Sequence, residues 1–148
     1  ISKQDSLSLD SLWQKLVFKK GGGLTGGQRV KDGKFGGERC VLTNDHRVNW
    51  QPFFNHPKGE LTEFLITKFA DTTTTNIHTC PFFIATNGEI AVYCLVKIHL
   101  TNWYDLKPFH EYRGRQTTGS EDCEQTWLQA ILADPKQREV LIDEWRKL

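Results

Sequence analysis

From Phe82 to Leu100 the chain reads FFIATNGEIAVYCLVKIHL, two runs rich in β-branched and aromatic residues that meet at Asn87-Gly88. That dipeptide is the strongest short-range signal for a two-residue hairpin turn. With a two-residue loop, Thr86 pairs with Glu89, Phe83 with Val92 and Cys80 with Leu95. Side chains alternate faces along a strand, so Ile90, Val92, Cys94, Val96, Ile98 and Leu100 form one wholly apolar face, the predicted core side. Glu89, Ala91, Tyr93, Leu95, Lys97 and His99 take the other face, and the register adds His78 and Cys80 to it. Cys94 then reads as a packed small hydrophobe that does not bond to Cys80 without a bulge.

Upstream, Ser11 to Lys20 fits a helical turn through Leu12 and Leu16, or a strand through Leu16, Val17 and Phe18. The pattern does not separate the two. Gln28 to Lys31 and Lys34-Phe35 flank Asp32-Gly33, a second hairpin signal, with Cys40 to Thr43 continuing as strand. Asn44 to Gly59 is crowded with turn formers, Leu61 to Phe69 resumes as a strand, and Thr72 to Thr75 is a polar connection. Thr118 to Glu121 fits a capping box, with Ser120 as the rival cap. A helix from Glu121 to Ala133 stacks Cys123, Trp127, Ala130 and Ile131 on one face. Asp134-Pro135 ends it and starts another, with Val140, Leu141, Glu144 and Trp145 at helical spacing. Strands followed by helices predict an α+β fold, a curved and mostly antiparallel sheet or partial barrel with two C-terminal helices packed on it.

Composition bounds this picture. The 148 residues are 38% hydrophobic and include five Trp and nine Phe, enough for one globular domain over 1–148 with a genuine core. Charged residues make up an ordinary 25%, which excludes a disordered chain. The longest near-apolar run, Ile90 to Leu100, is about half of the roughly 20 residues a spanning helix needs, so no membrane partner is expected. No leader pattern is expected from the N-terminal residues, while the start at Ile1 and the lack of methionine predict a processed or excised piece. Cys40, Cys80, Cys94 and Cys123 are too widely and irregularly spaced for a disulfide-stapled scaffold, which favours free thiols and a reducing compartment.

Lys19 to Cys40 holds eight of the twelve glycines and six lysines and arginines. Gly21 to Gly26 matches G-x-G-x-x-G, but a hairpin follows where a dinucleotide site requires a helix. Gly27 to Phe35 has one residue too many for a P-loop, and Phe35 stands where the magnesium-binding hydroxyl belongs. Asp45-His46 and Asn55-His56 lack the further histidine of an HNH nuclease. Cys40 with His46, and His78 with Cys80, lack the paired spacings of a structural zinc site. No metal and no cofactor are predicted.

Two candidate sites remain. On the outer hairpin face, His78, Cys80, Lys97 and His99 with Tyr93 bring a thiol near imidazoles and a lysine, the ingredients of a nucleophile in a small hydrolase or nuclease. The reading favoured for the same residues is the half-solvated side of a sheet, partly covered by the Trp127 or Trp145 helices. The second site is electrostatic. Lys19, Lys20, Arg29, Lys31, Lys34 and Arg39 oppose only Asp32 and Glu38 in a protein of net charge +1. Lys107, His110, Tyr112, Arg113 and Arg115 form a second basic and aromatic loop. Arg forks grip phosphates, glycine admits backbone amides to them, and rings stack on bases. The compensating acid lies mostly in Glu121, Asp122, Glu124, Glu139, Asp143 and Glu144. The expected function is nucleic-acid binding by two basic loops at one rim of a sheet. The alternative is a protein-interaction module, an inhibitor or adaptor, using aromatics around Trp50, Phe53 and Phe54, with both loops as ordinary solvated surface.

Overall fold

The computed structural model describes residues 8–20, 28–32, 37–41, 46–80, 83–119 and 121–148. Among them the expected α+β architecture is absent. There is no curved sheet and no partial barrel; strands form two two-stranded pairs and the rest of the regular structure is helical. The chain divides into two compact units, Ile1–Pro57 with Thr74–Ala85, and Lys58–Thr73 with Thr86–Leu148.

In the first unit, Ser8 Oγ accepts from the Ser11 amide at 3.1 Å and caps α1 (Leu9–Trp13), which continues as a π-helical segment, Gln14–Lys20. The segment that sequence pattern left open is thus helical, with Trp13, Leu16 and Val17 buried at spacings of three and four. Strands β1 (Gln28–Asp32) and β2 (Gly37–Val41) pair antiparallel, from Gln28 opposite Val41 to Asp32 opposite Gly37. A hairpin was expected here, but four residues connect the paired ends instead of two. Lys34 and Phe35 fall outside the described residues. Where turns were expected, α2 (His46–Phe54) forms. Its Trp50 and Phe53 are buried, with ring centroids 6.1 and 5.5 Å from that of Trp13. Two of the three aromatics assigned to an exposed interaction surface are therefore core. Strands β3 (Thr74–Cys80) and β4 (Phe83–Thr86) make the second pair, tied by Thr75 Oγ1 donating to the Ala85 carbonyl at 2.7 Å.

The second unit is built on four helices. The expected strand Leu61 to Phe69 is instead α3 (Lys58–Ile66), which buries Leu61, Thr62, Leu65 and Ile66, a helical stripe. The expected hairpin around Asn87-Gly88 is overturned by α4 (Asn87–His99). Thr86 and Glu89, placed opposite each other in the hairpin register, form a capping box. Thr86 Oγ1 accepts from the Glu89 amide at 3.3 Å, and Glu89 Oε1 accepts from the Thr86 amide at 3.1 Å. Gly88 donates its amide to the Asp71 carbonyl at 3.0 Å, and a Cβ there would stand 2.6 Å from the Phe69 carbonyl oxygen. The glycine serves close backbone approach, not a turn. Leu100 closes the helix in the left-handed region at φ 53° and is 91% exposed, although the strand pattern put it in the core.

Helix α5 (Glu124–Ala133) starts three residues later than expected. Cys123 is its N-cap residue, and the Cys123 amide donates to Thr126 Oγ1 at 3.0 Å, while Thr118 bonds to Asp122 instead of capping the helix. Trp127 and Ile131 are buried as expected, but Ala130 is exposed. Helix α6 (Pro135–Arg146) begins where Asp134-Pro135 predicts, with Asp134 Oδ1 accepting from the Lys136 amide at 3.0 Å. Helix α3 packs on α4 and α6, and α5 packs on the same two. Among the described residues no helix is long and apolar enough to cross a membrane.

Candidate functional site

The nucleophile cluster loses the sheet face that defined it. Tyr93, Lys97 and His99 lie on α4, while His78 and Cys80 lie on β3 of the first unit, and the side chains of those two fall outside the described residues. Lys97 is exposed and Tyr93 half-buried. Cys94 is fully buried, and burial pushes its thiol well above the ordinary range, which keeps it protonated and inert. Cys123 is a second buried thiol. Among the described residues no three His, Cys, Asp or Glu side chains gather to hold a metal ion.

The first basic stretch spans three elements. Lys19 and Lys20 end the π-helical segment, Arg29 and Lys31 lie on β1, and Arg39 lies on β2 opposite Val30. Lys31 pairs in register with Glu38 and Arg29 with Cys40. The side chains of these residues, and all of Lys34, lie outside the described residues.

The second basic stretch is a 3-10 helical segment, Lys107–Tyr112, followed by a turn in which Gly114 adopts φ 70°. The curved sheet whose rim the two basic loops were expected to share is absent among the described residues. Buried Phe109 and Trp103 anchor the segment. The Tyr112 ring centroid lies 5.2 Å from that of Trp103 and 5.8 Å from that of Trp127. Over this aromatic row sits the Arg115 guanidinium, 4.4 Å from the Tyr112 centroid and 5.2 Å from that of Trp127. It pairs with Glu111 at 3.6 Å, and Arg113 meets Asp105 at 3.5 Å. His110 Nε2 lies 2.9 Å from the Asp105 carbonyl oxygen, and Lys107 is exposed. The aromatic rings hold Arg115 in place, while 40% of its side chain stays open to solvent.

A pocket of ≈ 150 Å³ opens at the start of α3, between the ends of α4 and α6. Thr62 Oγ1 donates to the Lys58 carbonyl at 2.8 Å, which spends its one proton; the contact at 3.0 Å with His99 Nε2 therefore has the imidazole N–H as donor. The His99 ring stacks on Trp145 at 5.7 Å. Burial first, and then the charge of Lys58, hold His99 below its ordinary 6.5, so it is neutral at pH 7. Arg146 forks onto Glu63 at 3.0 and 3.1 Å. Trp145 is fully buried, and its indole N–H has no acceptor among the described residues.

Sequence pattern singled out His99 in this pocket but not Lys58, Thr62 or Trp145. The spacing of Lys58 and Thr62, one helical turn, was available, yet Pro57-Lys58-Gly59 read as a turn. No known protein family, curated protein or solved structure matches the chain.

Proposed function

We propose that the chain is a nucleic-acid-binding domain whose contacts center on Lys107, His110, Tyr112, Arg113 and Arg115. The observation that carries this reading is the Arg115 guanidinium stacked over Tyr112 and Trp127 with its side chain still 40% exposed. A guanidinium fixed by ring faces loses little rotamer freedom when it grips a phosphate, and its fork matches two phosphate oxygens. Asp105 and Glu111 compete for Arg113 and Arg115. Exposed pairs of this kind contribute about 1 kcal/mol or less, so a phosphate displaces either carboxylate at small cost. Lys19, Lys20, Arg29, Lys31, Lys34 and Arg39 add a second group of cations to the same chain.

Fluorescence anisotropy with labelled single-stranded and duplex oligonucleotides over a salt series tests the proposal. Affinity should fall linearly with salt on logarithmic axes, and Arg115→Ala should weaken binding and reduce the slope by about one. Salt-insensitive binding, or none at low salt, would sink it.

A further inference from the structure

The ring centroids of Tyr112 and Trp127 stand 5.8 Å apart and lie 4.4 and 5.2 Å from the Arg115 guanidinium carbon. Rings on opposite sides of that carbon would be separated by nearly the sum of those two distances. Both rings therefore support the guanidinium from the same side. The rings are held in their turn: Tyr112 packs on buried Trp103, and Trp127 donates its indole N–H to Asp122 Oδ1 at 2.6 Å, while Asp122 Oδ2 accepts from Thr118. Glu111 meets one terminal nitrogen of Arg115 at 3.6 Å, and 40% of the side chain remains open to solvent. A planar cation backed by rings on one side offers its other side as a stacking platform.

Two features of the same segment oppose a duplex as its ligand. The major groove is read by an α-helix or a two-stranded ribbon, whereas Lys107–Tyr112 is a short 3-10 segment broken at Phe109, with φ −116° and ψ 15°. Duplex affinity is dominated by cations that track the phosphates, and here Lys107, Arg113 and Arg115 stand against Asp105 and Glu111. That leaves little charge to follow a backbone. A base reaches the open side of a guanidinium only when it is unpaired and turned out of its own stack, which a single strand allows.

Resting on the nucleic-acid reading above, we propose that the ligand is a single strand, one unpaired base of which stacks on the open side of the Arg115 guanidinium while Lys107 and Arg113 meet the neighboring phosphates. The stack then runs from base to guanidinium to the Tyr112 and Trp127 rings. Every base has a π-face, so the sequence preference of such a site is weak.

The test measures the affinity of the full chain, at one low salt concentration, for a labelled oligonucleotide in three forms: the single strand, the same strand annealed to its complement, and the same strand with abasic sites, which keeps every phosphate and removes bases. The intact single strand should bind about tenfold more tightly than either other form, within the range of one base stack. Arg115→Lys keeps the charge, and with it the salt slope, but has no planar group on which a base can stack. It should bring the single strand down to the affinity of its abasic form. A duplex or an abasic strand bound as tightly as the intact single strand, or a preference that survives Arg115→Lys, would overturn the inference and leave the nucleic-acid reading standing. Failure to bind any of the three forms would end both.

Discussion

Helices α4 and α6 belong to the same four-helix unit, yet only one of them is written in its own periodicity. In α6, Leu141 and Trp145 are fully buried one turn apart, Val140 is 40% exposed, and polar residues fill most of the rest. That stripe fits only a helix. In α4, residues 90–96 read IAVYCLV, and Ile90, Ala91, Val92, Cys94 and Leu95 are all buried. A continuous apolar run satisfies a period of two and a period of 3.6 equally well, so periodicity carries no information there. The decision falls to the ends of the segment, where Thr86 and Glu89 cap a helix and Gly88 lies against the backbone of Phe69.

Leucine truncations in α4 test that contrast most severely. Leu95 lies on the outer face of the hairpin register but is fully buried in the helix, whereas Leu100 lies on the hairpin's core face but is 91% exposed. Leu95→Ala should cost about 2–5 kcal/mol, and Leu100→Ala should stay within about 0.5 kcal/mol. Urea unfolding of the two variants measures the difference, and the reverse order would restore the hairpin.

A smaller effect is expected at the start of α4. An added Cβ at Gly88 meets the Phe69 carbonyl oxygen at 2.6 Å, a backbone atom that cannot swing aside, while one at Gly119 meets nothing within 4 Å. Gly88→Ala should destabilise by about 1–3 kcal/mol, the range for forced overpacking, and Gly119→Ala should not. Equal midpoints in chemical denaturation would remove close approach as the reason for glycine at position 88.

These comparisons also show which parts of the molecule local pattern could reveal. Asp134-Pro135 announced α6 because cap and first-turn proline act within three residues. The β1 and β2 pairing was legible from alternation around Asp32-Gly33, although its connection is longer than two residues. Helix α2 was not legible, since Asn49 and Pro52 weaken its propensity and its burial comes from Trp13 packing on Trp50 and Phe53. Misreading α3 and α4 as strands was enough to turn a helical unit into a sheet. At the candidate sites, the basic character of Lys107 to Arg115 was visible, but the stack of Arg115 on Trp127 joins a turn to a helix that begins elsewhere. The pocket takes Lys58, His99 and Trp145 from three helices, and only tertiary packing brings them together.

The mildest test concerns the carboxyl that helps cap α4. Glu89 is fully buried; Oε1 accepts from the Thr86 amide and, at 2.8 Å, from Gln129 Nε2. Burial raises its affinity for a proton above the ordinary 4.5, against the opposing pull of the Gln129, Thr86 and Tyr93 hydrogen bonds. The neighboring Tyr93 phenol is pushed well up in turn, by burial and then by the charge of Glu89. A carboxyl whose folded value is raised binds its proton more tightly in the native state. Its contribution is thus fully present below 4.5 and is lost as the pH rises through the raised value. Glu89→Gln keeps an oxygen for the Thr86 amide and removes the ionisation. The variant should match or exceed the wild type in stability at pH 7, with the difference shrinking as the pH falls through the raised value towards 4.5 and constant below it, read from thermal midpoints across the series. A variant that is weaker at pH 7 and gains relative to the wild type only on acidification would mean that the charged carboxylate is what holds the cap.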